Sequence, residues 1–399
     1  MRRQLAAVGA TLTASCLILA GTGSVASAAT AQTSQSNAAL RYLYAHVGAD
    51  GSIAGDLGAT EDAVISVADG GYDPATMRNA TTAKSVYDFM SSKVGTIATA
   101  GGAAKYVLAW VAAGKPAAID ASALLVKLNT PVASSGYLEP NGAFHNSNGL
   151  VETANAYTQS LAVLAEMAAQ IALPANATGW LTCAQRPDGG FGYAIDDSLL
   201  APPAFCGDTF GSDTNDTAII VQALGAAGVT SANAAVETYL HSVQLSTGGF
   251  AFSGTGPSDP SSDQGVIDAL VAIGQDPSAA AWTKGGGNAP TDLVSFADPK
   301  GTGGFIFPGN SGPDAFTTSA IPQGLLLTPY SAHTKVAPGT TPFPAPAPVT
   351  PTPGGVLGIT VPDTGASAGD GGGVLVVLLA AGAALLATVL VGRRPSTEP

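Results

Sequence analysis

Apolar residues recur at helical spacing along most of this chain. Leu40, Leu43, Tyr44 and Val47 fall on one side of a helix over 37–47, which Asp50-Gly51 stops. The same rhythm predicts helices over 61–69 and 76–93, then from 101 through Trp110, ended by Gly114-Lys115-Pro116. Further helices are expected over 117–128, 152–173, 175–185, 215–227, 231–244, 263–274, 290–297 and 314–327, the last kinked or shortened by Pro322. The 152–173 stretch is rich in Ala and almost free of charge, as suits a helix surrounded by others. Amphipathic and more apolar helices alternate, giving six outer-inner pairs. Six such hairpins in sequence close into a ring, so the expected fold is an all-α (α/α)6 toroid of about twelve helices over 29–335.

The turns between the helices repeat. Gln185-Arg186-Pro187-Asp188-Gly189-Gly190-Phe191 and Gln244-Leu245-Ser246-Thr247-Gly248-Gly249-Phe250 both read Gln-x-x-x-Gly-Gly-Phe. Degenerate copies end at Phe144 and Phe305, and Ile53 and Ile97 hold similar places. Steps of 44 to 59 residues separate these six positions, which is the signature of a repeat architecture. Glycine allows the tight turn, the aromatic plugs the gap between hairpins, and the Gln is placed to end the preceding helix and bond freed backbone groups. An insertion over 196–209 accounts for the longest step.

Composition agrees with a packed helical body. The chain has 399 residues, is 46% hydrophobic and only 11% charged, and carries a net charge of −13. That charge argues against nucleic acid as a partner. Arg2 and Arg3 precede an apolar run over 5–20, and Ala26-Ser27-Ala28 offers a cleavage site, so 1–28 reads as a secretory signal peptide. At the other end, 336–360 is rich in Pro and Thr and reads as an extended stalk. An apolar run over 374–391, followed by Arg393-Arg394, is long enough to hold a precursor in a bilayer.

Past the leader two cysteines remain, Cys183 and Cys206, flanking the 185–191 turn. In an oxidising compartment they suit a disulfide, with a metal pair as the alternative. Neither a cofactor nor a resident metal is expected. Asp62, Glu152, Asp216, Asp263 and Asp314 all fall near the predicted starts of inner helices. They are expected either to cap those helices or to form an acidic cavity rim that binds a ligand. Read as an acid and a base, they would instead serve polysaccharide cleavage, with Tyr137, Phe144, His145, Tyr157, Tyr193 and Phe210 lining a cleft.

The Gln-x-x-x-Gly-x-aromatic turns at Gln185/Gly189/Phe191 and Gln244/Gly248/Phe250 resemble the repeat of the terpenoid cyclase and protein prenyltransferase toroid superfamily, with Phe where that family usually has Trp. The resemblance implies the toroid. It does not carry the chemistry across, because the cyclase Asp-x-Asp-Asp acid is matched only loosely by Asp213-Thr214-Asn215-Asp216, and Cys206-Gly207-Asp208 reverses the prenyltransferase zinc string. A second resemblance lies in Val361-Pro362-Asp363-Thr364-Gly365 with its spacer, apolar run and basic end, which is similar to a Leu-Pro-x-Thr-Gly cell-wall sorting signal. It implies that a sortase joins Thr364 to peptidoglycan and that the membrane holds only the precursor. The expected product is a secreted, wall-anchored surface protein displaying a non-catalytic toroid that binds a ligand or protein partner. The alternatives are a wall-anchored glycan hydrolase or lyase and a small-ligand carrier.

Overall fold

Short polar residues set where the inner helices begin. The computed structural model describes residues 26–145, 155–195, 201–207, 211–332 and 341–343. Its α-helices are α1 Ala26–Ala45, α2 Leu57–Asp69, α3 Val86–Lys93, α4 Ala100–Ala112, α5 Ser122–Leu128, α6 Ala156–Ala169 and α7 Ala177–Cys183. They continue with α8 Thr214–Ala226, α9 Asn233–Val243, α10 Pro260–Ala272, α11 Ala289–Ser295, α12 Ala315–Thr318 and α13 Ile321–Leu326. Asp56, Thr99, Asn155, Asp213, Asp259 and Asp314 cap α2, α4, α6, α8, α10 and α12, each accepting a first-turn N–H. Those donors have no partner within the helix, so every cap fixes a start.

These helices form a closed ring. α2, α4, α6, α8, α10 and α13 pack each against the next, and α13 returns to α2. Outside them α3, α5, α7, α9 and α11 lie on α2, α4, α6, α8 and α10, and α1 lies on α13. The first helix therefore fastens the last repeat to the first. Fully buried Ala103, Ala104, Ala162, Ala165, Ala218 and Ala223 let the inner helices approach closely. The all-α toroid expected from the periodicity is the fold observed, with its twelfth position divided between α12 and α13 ahead of Pro322.

Two predicted helices are shorter than expected. Over 76–93 only α3 is α-helical, because Asn79 folds back to accept the N–H groups of Thr81 and Thr82, and Ser85 then restarts the chain in a capping box with Asp88. Over 117–128 a 3₁₀ turn at Ala117–Ile119 precedes α5.

The Gly-Phe turns work as the sequence implies. Ile53, Phe144, Phe191, Phe250 and Phe305 are fully buried. The Gln244 carboxamide donates to the Gly248 carbonyl at 2.9 Å and to the Trp282 carbonyl at 2.7 Å, and Gln185 makes the equivalent bonds to Gly189 and Ala232. Each Gln thus ties its own turn to the next repeat. Gly189 has φ +92, and a Cβ there would lie 2.2 Å from the Ala235 carbonyl oxygen, so the turn docks on α9 only as glycine. Cys183 and Cys206 form the disulfide, with Cα atoms 5.2 Å apart, joining the end of α7 to the insertion. Closing a loop of this length stabilises by about 3 kcal/mol through the unfolded chain.

After the last repeat the chain turns into the middle of the ring. After α13, Tyr330 begins a 3₁₀ turn, Tyr330–Ala332, that packs on α6, α8 and α10. Two short strands, β1 Tyr72–Asp73 and β2 Thr341–Pro342, then pair in parallel. Phe343 follows, 5% exposed and packed on the rings of Tyr44 and Tyr72. Residues 341–343, expected within the stalk, therefore belong to the folded body. Among the described residues no helix is long and apolar enough to cross a membrane. Residues 1–25 of the expected 1–28 leader, the 361–365 motif and the 374–391 span lie outside the described residues, and 26–28 open α1.

A polar pocket inside the ring

Inside the ring the inner helices enclose a cavity of 70 Å³. Its outer part is lined by first-turn residues of three inner helices, Asn215 of α8, Ser261 of α10 and Phe316 of α12. Its floor lies deeper and is charged. The Lys105 ammonium of α4 lies 2.8 Å from Asp62 Oδ2 of α2, and both side chains are 2% exposed. Tyr330 completes the floor: its hydroxyl donates to Asp62 Oδ1 at 2.9 Å, and its backbone N–H donates to Gln222 Oε1 at 3.0 Å. Taking an ion pair out of water costs several kcal/mol per ion unless the partners are well placed. Here both Asp62 oxygens are engaged.

The neighbouring titratable groups feel the same burial. Burial would depress the Lys105 ammonium, but Asp62, Tyr157 and Glu61 hold its pKa above the ordinary lysine value. Burial pushes the Glu61 carboxyl well above its usual range, against the opposing pull of Lys105. Burial and then the Asp62 charge push the Tyr330 phenol up, so it stays a donor.

The predicted site residues separate in space. Asp62 was expected at a helix start, but α2 begins at Leu57 under the Asp56 cap, which places Asp62 more than a turn inside the helix and on the pocket floor. Asp216 lies in the first turn of α8, buried, with its N–H held by Asp213. The Asp213-to-Asp216 string is thus a helix cap. Asp263 is fully buried beneath the Phe250 turn, where its Oδ1 accepts the Phe250 N–H at 2.7 Å. Asp314 alone of these caps a helix itself. Asp216, Asp263 and Asp314 do not line the pocket, so no shared acidic rim forms among the described carboxylates. Glu152 lies outside the described residues.

Of the aromatic candidates, Tyr137 and Phe144 are core, Tyr157 lines the pocket and Tyr193 is 56% exposed. Phe210 lies outside the described residues. No group of three or more His, Cys, Asp or Glu side chains is placed to hold a metal among the described residues.

Sequence reasoning missed Lys105, Gln222, Gln264 and Tyr330. It also missed a regularity beneath the turns. Four residues after five of the six caps, Thr60, Gln159, Thr217, Asp263 and Thr318 accept the N–H of Ile53, Phe144, Phe191, Phe250 and Phe305 at 2.7 to 2.9 Å. A cap followed at the fourth position by Thr, Gln or Asp was the available signal.

No protein-family model and no curated protein sequence matches this chain. Solved structures do. The type II terpene cyclase MstE from Scytonema, in a substrate complex, is 14% identical with a TM-score of 0.47, over 75% of this chain and 98% of that one. The apo form of its Y157F variant is 13% identical with a TM-score of 0.48, over 75% and 97% of the two chains. Protein geranylgeranyltransferase-I from Candida albicans is 16% identical with a TM-score of 0.33, over 48% and 53%. These are likenesses of fold. What those enzymes act on stays with them.

Proposed function

We propose that this chain is a secreted, wall-anchored surface protein of a Gram-positive type of cell, and that its toroid is a non-catalytic binding module. The observation that carries this reading is the order of sorting motif, glycine-rich spacer, apolar run and basic end over 361–394, after a Pro-rich stretch. The pocket is reached past the N-terminal turns of α8, α10 and α12, whereas β2 pairs with β1, just beyond the C-terminal end of α2. Phe343, the last described residue, thus lies at the end of the ring opposite the pocket. The cavity is also far below the ~300–1,000 Å³ of sites that engulf larger ligands. That disfavours a carrier of a large apolar molecule.

The test is cell fractionation with the Thr364→Ala variant. The wild-type chain should be released only by wall-digesting enzyme, ending at Thr364 by mass spectrometry. The variant should extract with membrane detergent. A wild-type chain that extracts with detergent alone would overturn the anchored reading.

A further inference from the structure

The pocket's chemistry narrows what it takes. Its floor carries one acid and one base already paired, Asp62 and Lys105, so the pocket has no unmatched charge with which to hold an ion. Hydrogen-bonding groups of Tyr157, Asn215, Ser261 and Gln264 line it as well. Ile219, Phe316 and Ile321 supply apolar surface in the same space. Asn215 lines the pocket, and its Oδ1 is closed to solvent with no hydrogen-bond partner among the described residues, so a ligand hydroxyl pairs with it once the carboxamide turns.

Size adds a further limit. At roughly 10–15 Å³ for each water, 70 Å³ holds about five waters, which admits a small ring and excludes an isoprenoid chain. Outside the pocket, two large aromatics are exposed at the same ends of the inner helices. The Tyr193 carbonyl accepts the Ala156 N–H at the start of α6, and the Phe252 carbonyl accepts the Thr214 N–H at the start of α8. Their side chains are 56% and 39% exposed. Aromatic faces beside a neutral, hydroxyl-matching pocket suit a ligand with apolar C–H faces and hydroxyl edges.

We infer that the pocket binds one neutral pyranose unit, free or at the end of a glycan. This rests on the binding-module reading and gives it a ligand class. The full-length protein in mild detergent would be examined by saturation-transfer NMR with glucose, galactose, mannose, N-acetylglucosamine and oligosaccharides ending in them. Glucuronate, glycerol and geranylgeraniol would serve as comparisons. Expected is transfer to at least one neutral sugar, falling at least fivefold in Asn215→Ala. It should also be lost in Gly265→Ala, which narrows the pocket at the cost of only an ordinary 3.5 Å contact with Ala218.

Transfer only to glucuronate or geranylgeraniol would overturn the sugar assignment and leave the binding module standing. No transfer from any compound, with unchanged melting of both variants, would overturn both. Oligosaccharides binding at least tenfold more tightly than the free sugars would identify a glycan end, and equal binding a free monosaccharide. Transfer that persists undiminished in both variants would place the sugar elsewhere and contradict the inference.

Discussion

Two buried aspartates on inner helices, Asp62 and Asp263, have opposite surroundings. Asp62 faces Lys105 and the Tyr330 hydroxyl, so its charge is matched. Asp263 faces Asp292 of α11, and both have a buried oxygen with no other recorded partner. Burial first, and Asp292 next, push the Asp263 carboxyl well above its usual range. The residue type is the same, but one carboxylate is matched by a cation and the other is buried against a second acid. Mutation and pH should therefore act on them in opposite senses.

The largest effect is expected from Lys105→Met, which strands Asp62 in the interior and should cost about 3–5 kcal/mol in urea unfolding. Adding Asp62→Asn should restore much of that loss, whereas additive losses would break the comparison. Tyr330→Phe comes next, at about 1.5–3 kcal/mol for a bond to a charged acceptor. A smaller effect of opposite sign is expected from Asp263→Thr, which installs the residue that accepts the turn N–H at Thr60, Thr217 and Thr318. It should raise the melting temperature at pH 8 by a few degrees, since one kcal/mol is worth about 2–4 °C in a domain of this size.

The pH dependence follows from the same contrast. In the unfolded chain Asp263 ionises near 3.9, but the folded state keeps its proton to higher pH. The unfolded state therefore releases the proton first, and stability falls as pH rises above about 4. Burial pushes Glu166 up to about 7 against the hydrogen bond from Asn129, so its contribution is lost between about 4.5 and 7. Thermal melts from pH 5 to 8 should slope downward in the wild type. The slope should flatten in Asp263→Thr and, to a lesser extent, in Glu166→Gln. An upward slope would contradict the raised Asp263 carboxyl.

Much of the ring was legible in the sequence, because helical periodicity and the Gly-Phe turns are local signals. The pocket floor was less so. Asp62 and Lys105 are 43 residues apart and meet only when α2 and α4 pack. The legible sign was compositional: Lys105 interrupts an otherwise apolar inner helix, Ala100–Ala112, and a lone charge there calls for a partner. Asp62 was singled out for the wrong reason, since the helix start was set four residues too late. Tyr330 was not singled out, because nothing local in Thr328-Pro329-Tyr330 tells that the segment turns inward to meet Gln222, 108 residues earlier.

The central claim is that the chain's own tail, through Tyr330, closes one end of the ring and leaves the pocket open at the other. Native-state hydrogen exchange of the Tyr330 amide tests it most directly. Bonded to Gln222 and buried, that N–H should exchange only with global unfolding, at a free energy close to that of the α8 core amides. Exchange at the rate of an open loop, with α8 still protected, would contradict the account.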